Sequence, residues 1–264
     1  MGTRQVMPLR RSARLMGSSA TLAPPAPAVK KAKAKIDRAP KKANATTAVS
    51  KKNPGNGDKG FKHGTLSRDI EQRIYDKGFT RVVGVDEAGR GPLAGPVVAA
   101  ACFIPLDVTI EGIYDSKQLN EAQREALFEQ LTTHKGIQYA VHVNSPQRID
   151  EINILQATME SMCEAVNGLG VAADYALIDG NKMPPLDIPG EFVVKGDSKV
   201  FAIAAASIIA KVTRDRLMVA YDKQYPEYNF AQHKGYGTRA HMSAIHKHGA
   251  SPIHRMTFAP LNQL

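Results

Sequence analysis

Three short apolar segments of this chain end at acidic residues, and this feature limits the available folds most strongly. The first segment, residues 82–85, runs directly into Asp86 and Glu87, and the others end at Asp179 and close to Asp197. A buried carboxylate without a positive partner costs several kcal/mol. The acids are therefore expected where strands meet loops, at the ends of a sheet rather than in its middle.

Strand-like and helix-like patterns alternate from about residue 66 onward, without an internal repeat. They predict strands within 80–89, 95–104, 137–143, 174–180 and 191–198, and helices within 66–78, 120–136, 152–168, 199–225 and 238–249. Asn120 is a candidate N-cap, and Gly136 and Gly168 are candidate helix ends. Interleaved elements of this kind indicate an α/β body built around one sheet.

The basic charge is concentrated at the N-terminus. The chain of 264 residues has a net charge of +10, yet residues 1–60 contain fourteen basic and two acidic residues, so the remainder is slightly acidic. Richness in Ala, Pro, Lys and Ser predicts a disordered basic tail at 1–60, followed by a folded domain at 61–264. The tail is equally compatible with an organelle targeting segment and with non-specific nucleic-acid binding.

Cysteine usage and hydropathy restrict the compartment. Cys102 and Cys163 form no CxxC pair and suggest no disulfide framework, which favours a reducing compartment. The apolar stretches near 92–104 and 200–210 are too short to span a bilayer. We expect no membrane association and a cytoplasmic location, or a mitochondrion or plastid if the N-terminal segment directs the protein there.

Acids at three strand ends favour a metal site over ordinary solvated turn residues. Strand ends in open α/β sheets form ligand sites, and gathered carboxylates repel one another unless a cation lies between them. Mg²⁺ prefers carboxylates, waters and substrate phosphates. Two such ions can stabilise both the attacking and the leaving oxygen of a phosphodiester displacement.

A dinucleotide-binding turn is the rival interpretation of residues 89–95, which have the spacing G-x-G-x-x-x-G. Such a turn must open a helix whose N-terminus faces a pyrophosphate. Pro92 and Pro96 lie here instead, and a helix interior does not tolerate Pro96. The two neighbouring acids would also repel the pyrophosphate, so we reject this interpretation.

Seven motifs occur in order between about residues 82 and 260: GVDEAGRGPLAGPVV, DSKQL, EINILQATM, LIDGN, VVKGDS, AAASIIAKVTRD and HKGYGT. In these motifs the chain closely resembles the bacterial-type ribonuclease HII family. The resemblance implies a ribonuclease H-like fold, with a mixed central sheet flanked by helices and a helical C-terminal part. It implies an endonuclease, dependent on Mn²⁺ or Mg²⁺, that acts on RNA–DNA hybrids and on single ribonucleotides embedded in duplex DNA. The expected cut lies 5′ of the ribonucleotide and leaves a 3′-hydroxyl, as ribonucleotide excision and primer removal require.

The resemblance also assigns roles to individual residues. It places the metal ligands at the strand-end acids Asp86, Glu87, Asp179 and Asp197. It implies that the backbone of Gly89, Arg90 and Gly91 reads the ribose 2′-hydroxyl, the group that distinguishes RNA from DNA. Tyr236 would stack on the deoxyribose that follows the ribonucleotide. We expect the enzyme to be a monomer.

Further candidate phosphate contacts come from spacing. Ser207, Lys211 and Arg214 form one stripe of the long helix. This stripe either binds backbone phosphates or is a solvated face with a Lys211–Asp215 pair. The residues expected to face the core opposite it are Ile209, Val212 and Val219. The other candidate contacts are Ser116, Lys117, Lys195 and Ser198.

Other groups receive structural interpretations. His241, His246 and His248 lack a fourth ligand for zinc and are expected on the surface of the last helix. Met159 and Met162 are expected to fill the core. A non-catalytic module that binds nucleic acid through the tail is the alternative function, and the presence of all four acids speaks against it.

The adjacent acids raise a geometric problem, because neighbouring residues of a strand point to opposite faces. Asp86 and Glu87 therefore cannot both reach one cluster from a regular strand. Either the chain twists or bulges at this point, or Glu87 reaches round from the turn.

Overall fold

The computed structural model describes residues 65–263, and its centre is a mixed sheet. The strands are β1 (Val82–Ala88), β2 (Val97–Phe103), β3 (Gln138–Asn144), β4 (Tyr175–Asp179) and β5 (Gly190–Val193). Their order is β3-β2-β1-β4-β5, with antiparallel pairing among β1, β2 and β3 and parallel pairing among β1, β4 and β5. The central strand β1 therefore has an antiparallel neighbour on one side and a parallel neighbour on the other.

Helices cover both faces of this sheet. They are α1 (Asp69–Tyr75), α2 (Glu121–Thr133), α3 (Pro146–Asn167), α4 (Phe201–Gln224), α5 (Phe230–His233) and α6 (Arg239–His248). Short 3₁₀ turns lie at Gly196–Ser198, Pro226–Tyr228 and Leu261–Gln263. A mixed sheet between helices, followed by a helical C-terminal part, confirms the fold class expected from the sequence.

The bounds of α2 and α3 differ from the sequence prediction. Asn120 caps α2 as predicted and forms a capping box with Gln123, but the helix ends at Thr133, before Gly136. Helix α3 begins at Pro146, six residues before the predicted start at 152. Its earlier start has a separate cap, since the Ser145 hydroxyl accepts a hydrogen bond from the Arg148 amide. The helix is also interrupted by a non-helical conformation at Asn153, which conceals its periodicity in the sequence.

Helix α4 forms one wall of the core, and α3 forms the other. The N-terminal half of α4, residues 201–210, is buried and contacts β1 and β2. On the opposite face, Val83 and Val85 of β1 pack with Met162 of α3. The alternation of the strand then directs Asp86 toward α4 and Glu87 toward α3.

The N-terminal segment lies outside the residues that the structure describes. The predicted tail at 1–60 and its boundary with the folded domain therefore stay predictions. Between residues 65 and 263, no helix is both long enough and apolar enough to cross a membrane.

The contact between β1 and α4 provides a stability test at Gly84. A Cβ at this position would overlap the backbone of Ala202 and Ile203, which cannot move aside as a side chain can. We expect Gly84→Ala to lower the free energy of unfolding by more than about 2 kcal/mol in urea titrations. Gly170→Ala is the control, because its Cβ would meet only the mobile end of Gln138. Equal stability of the two variants would contradict the close β1–α4 contact.

Candidate active site

Three of the four predicted acids converge where β1 and β4 separate. The last pair between these strands is Val85–Ile178. The acids that follow it are Asp86 and Glu87 on β1 and Asp179 on β4. Carboxylate oxygens of the three residues lie within 4.8 Å of one another. Parallel strands bring their C-terminal ends to the same edge of a sheet, which is where ligand sites form in such folds.

Strand β1 reaches this edge without a bulge. Its pairing with β2 is one-to-one from Val83–Phe103 to Ala88–Val98. Both acids nevertheless lie beyond the last pair with β4, so their side chains meet Asp179 around the open edge of β1. The bulge considered from the sequence is therefore absent, and the side chains reach the cluster from opposite faces.

The cluster has a strong electrostatic preference for a positive charge. Burial and the charges of Glu87 and Asp179 raise the pKa of Asp86 well above its usual value. Burial also raises the pKa of Glu87, although the Arg90 guanidinium opposes this. Burial and the Asp197 charge raise the pKa of Asp179. Buried carboxyl groups that repel one another are the ligand set that a hard divalent cation prefers.

Asp197 lies beside the cluster and forms an ion pair with Lys117. It belongs to the 3₁₀ turn after β5, and its carboxylate accepts a hydrogen bond from Lys117 Nζ at 2.6 Å. Burial lowers the pKa of Lys117, but the hydrogen bond and the charge of Asp197 raise it by more. The turn is tied to β4, since Asp179 Oδ1 accepts hydrogen bonds from the amides of Gly196 at 2.6 Å and Asp197 at 3.4 Å.

The glycine-arginine-glycine turn follows β1 directly. Gly89 has a φ of +93°, and a Cβ there would overlap the buried Arg214 side chain, so glycine is required. Gly91 is exposed, and a Cβ on it would lie 3.7 Å from the Tyr236 ring. Arg90 Nη1 lies 3.4 Å from Glu87 Oε1. The turn and the tyrosine ring therefore border the acid cluster.

One cleft joins this turn to helix α4. Eight of the candidate site residues line it: Glu87, Gly89, Ser116, Lys117, Ser207, Lys211, Arg214 and Tyr236. The hydroxyls of Ser116 and Ser207 are hydrogen-bonded to each other at 2.7 Å. Ammonium and hydroxyl groups beside a carboxylate cluster can bind phosphate next to a metal site.

Comparison with known proteins decides the family. Residues 83–261 match the family model described as ribonuclease HII. The chain belongs to the ribonuclease HII family.

Both sequences and solved structures support this membership. The chain is 51% identical over 193 residues to ribonuclease HII of Desulfitobacterium hafniense, covering 73% of this chain and 74% of that protein. It is 53% identical over 196 residues to ribonuclease HII of Endomicrobium trichonymphae, covering 74% and 93%. The crystal structure of ribonuclease H2 from Pyrococcus horikoshii is 31% identical with a TM-score of 0.57, covering 69% of this chain and 96% of that one. The predicted class of enzyme, a ribonuclease H, is confirmed.

Several phosphate contacts predicted for this ribonuclease HII chain have other positions or partners. Lys195 and Ser198 do not line the cleft, and the Ser198 hydroxyl donates a hydrogen bond to the Lys195 carbonyl at 2.9 Å. Lys211 forms the ion pair with Asp215 at 2.8 Å that the sequence offered as its alternative role. Lys211 nevertheless lines the cleft, so its predicted phosphate contact stays a prediction beside the observed ion pair.

The Arg214 member of the helix stripe is a structural residue. It is 1% exposed, and its guanidinium donates to the carbonyls of Pro96 at 3.0 Å, Ala94 at 3.2 Å and Lys234 at 3.1 Å. With its donors directed at these acceptors, Arg214 supports the backbone around the cleft that it also lines. The expectation that Val219 faces the core is wrong, since it is 38% exposed.

The expectation of three surface histidines on the last helix is wrong for His241, while His246 and His248 are exposed. His241 Nδ1 lies 2.9 Å from the Tyr236 carbonyl, which can only accept, so this nitrogen carries the hydrogen. Its Nε2 therefore accepts from His254 Nε2 at 3.0 Å. This buried pair fixes the backbone of Tyr236 at the cleft.

The sequence offered no signal for the His241–His254 pair. His254 lies in no recognised motif, and the acceptor of the pair is a backbone carbonyl, which any residue type supplies. Of the two methionines expected in the core, Met162 is 2% exposed, whereas Met159 is only partly buried.

The histidine pair predicts a pH dependence of stability. Burial lowers the pKa of His241 and of His254 from 6.5 to about 4. Between pH 6.5 and about pH 4, these two histidines are protonated in the unfolded chain but neutral in the folded one. The free energy of unfolding therefore falls as the pH falls through this range. From pH 7 to pH 5, we expect His254→Gln to lose about 1–2 kcal/mol less unfolding free energy than wild type. The exposed control His246→Gln should behave as wild type, and equal losses in all three proteins would contradict the account.

Proposed function

We propose that this chain is a divalent-metal-dependent endonuclease that cleaves RNA in RNA–DNA hybrids, including single ribonucleotides embedded in duplex DNA. The observation that carries the proposal is the convergence of Asp86, Glu87 and Asp179 within 4.8 Å. The glycine-arginine-glycine turn and a cleft with two lysines lie directly beside it. This combination suits a phosphodiester whose ribose must be recognised.

Mn²⁺ or Mg²⁺ fits the acid cluster, because all its donors are carboxylate oxygens and their mutual repulsion favours a cation. Asp86, Glu87 and Asp179 would hold it, with Asp197 as a further ligand. Bound there, the metal would supply a water activated for in-line attack and would stabilise the leaving 3′-oxygen. The product would carry a 3′-hydroxyl, and the cut would lie 5′ of the ribonucleotide.

Lys117 has two roles in this proposal. In the free protein its ammonium neutralises Asp197 at 2.6 Å. The Lys117 side chain is 76% exposed, so it can turn toward a substrate phosphate when Asp197 becomes a metal ligand. Asp197 would then have a positive partner in both states: the Lys117 ammonium in the free protein and the metal ion in the complex.

The exposed turn and the tyrosine ring would read the substrate. Backbone groups of Gly89, Arg90 and Gly91 would contact the ribose 2′-hydroxyl, and the Arg90 guanidinium would hold an adjacent phosphate. The Tyr236 ring is 47% exposed beside Gly91, so it is free to stack on the deoxyribose that follows. Ser116, Ser207 and Lys211 would contact the backbone further along the cleft.

We propose that the enzyme acts as a monomer in ribonucleotide excision and in removal of RNA primers. The two relatives compared above are bacterial proteins, and on that ground we propose a cytoplasmic location for this chain. They lend no support to the organelle alternative.

The direct test is nicking of a duplex that contains one ribonucleotide, with Mg²⁺ or Mn²⁺ and then with EDTA. We expect metal-dependent nicking that Asp86→Asn reduces at least about a hundredfold, because a metal ligand is lost. Binding of the duplex, measured by fluorescence anisotropy in EDTA, should persist in this variant. Asp107→Asn removes an exposed acid away from the cluster and should keep full activity. Nicking in EDTA, or a fully active Asp86→Asn, would refute the metal role.

A second test concerns the tyrosine ring. Tyr236→Ala should slow cleavage at an RNA-to-DNA junction roughly tenfold relative to cleavage within a long hybrid, because one stacking contact is lost. Tyr236→Phe keeps the ring and should restore junction cleavage. Equal losses on both substrates would show that the ring does not recognise the junction.

A further inference from the structure

Arg255 is a buried cation that binds the glycine-arginine-glycine turn, residues 89–91, from its buried side. Its side chain is fully buried, and its guanidinium donates to three carbonyl oxygens. Nη2 lies 2.6 Å from the Gly89 carbonyl, Nη1 lies 2.9 Å from that of Arg90, and Nε lies 2.9 Å from that of Gly95. The Phe258 ring covers the guanidinium at 5.0 Å. None of the ion pairs in the described part of the chain involves Arg255.

The backbone around Arg255 is attached to the same loop. The Arg255 amide donates to the Leu93 carbonyl at 2.8 Å, and the Gly95 amide donates to the Ile253 carbonyl at 2.8 Å. A β-bridge joins Ala94 to the residue before Arg255. Arg255 is therefore held both through its backbone and through three guanidinium donors. It can thus set the orientation of the turn.

The geometry of the peptide bond determines where the amides of Arg90 and Gly91 point. In a planar trans peptide the N–H points opposite to the C=O of the preceding residue. Because the carbonyls of Gly89 and Arg90 point inward to Arg255, the amides of Arg90 and Gly91 point outward. Both residues are exposed, and neither amide has a hydrogen-bond partner within residues 65–263. Adjacent free amides of this kind bind anionic or hydroxyl oxygens.

The burial of Arg255 without an ion pair carries an energetic cost, as the burial of Arg214 does. A buried arginine without an acid is expensive, and Arg214, a second buried cation, lies close by. Burial and the Arg214 charge lower the pKa of Arg255 to about 9, which still leaves it charged at neutral pH. An apolar residue would avoid the cost of the buried charge but would leave the carbonyls of Gly89, Arg90 and Gly95 without these donors. The charge behind the turn also favours the approach of a phosphate to its outer face.

We propose that Arg255 is a positioning residue for ribonucleotide recognition, which it serves by holding the amides of Arg90 and Gly91 toward the substrate. The proposal rests on the proposed function, because it requires that this turn contacts the ribose. Arginine suits the role because its rigid fork supplies three donors at once, whereas a lysine ammonium cannot match all three acceptors.

The test compares the affinity of Arg255→Lys for a duplex with one ribonucleotide and for the same duplex in DNA alone, both in EDTA. We expect the ratio of the two affinities to fall at least about tenfold from the wild-type value. Leu131→Ala, a fully buried core change in α2, is the control for lost stability and should keep the wild-type ratio. A folded Arg255→Lys with an unchanged ratio would overturn the proposal.

A measurement on the unaltered chain covers the case in which Arg255→Lys does not fold. By NMR, the Nε–H of Arg255 should exchange slowly, and the amide signals of Arg90 and Gly91 should shift with the ribonucleotide duplex but not with the DNA duplex. Fast Nε–H exchange, or unshifted amides with a bound ribonucleotide duplex, would overturn the role of Arg255. A wild-type protein that neither prefers nor nicks the ribonucleotide duplex would instead refute the proposed function.

Discussion

The repulsion among the buried carboxylates at the end of β1 is the interaction on which the rest of the site depends. Asp86 is 3% exposed and has two further carboxylates within 4.8 Å, so the folded chain bears an unfavourable electrostatic energy at this point. The surrounding contacts limit that energy without removing it. Lys117 neutralises Asp197, Arg90 approaches Glu87, and two backbone amides bind Asp179. A divalent cation would relieve what remains, so the metal of the proposed reaction would also stabilise the folded chain.

The sheet and helix α4 hold this arrangement in place. The acids lie at the edge where β1 loses its parallel neighbour, and the apolar half of α4 packs directly under β1 at Gly84. Behind the glycine-arginine-glycine turn, Arg214 and Arg255 have backbone carbonyls of residues 89–96 and 234 as partners instead of carboxylates. The loop that would contact the ribose is thus held by these two arginines, while the amides of Arg90 and Gly91 have no hydrogen-bond partner within residues 65–263.

The acid cluster could be predicted from the sequence because apolar strands that end on acids have a simple physical consequence. The alternation of elements predicted the α/β sheet for the same reason. The buried Arg214, His241 and Arg255 could not be predicted, since their partners are backbone carbonyls that leave no pattern in the sequence. The turn itself was recognisable by its glycines, but not the guanidinium that orients it. The early start of α3 was hidden by the non-helical residue Asn153.

The central claim is that metal bound at the acid cluster contacts the scissile phosphate. Its most direct test replaces one non-bridging oxygen at the cleavage position with sulfur and measures single-turnover nicking of each diastereomer in Mg²⁺ and in Mn²⁺. The account predicts that one diastereomer is cleaved slowly in Mg²⁺ and recovers in Mn²⁺, because Mn²⁺ accepts sulfur more readily. Equal cleavage of both diastereomers in Mg²⁺, with no further gain in Mn²⁺, would contradict a metal ion at the phosphate.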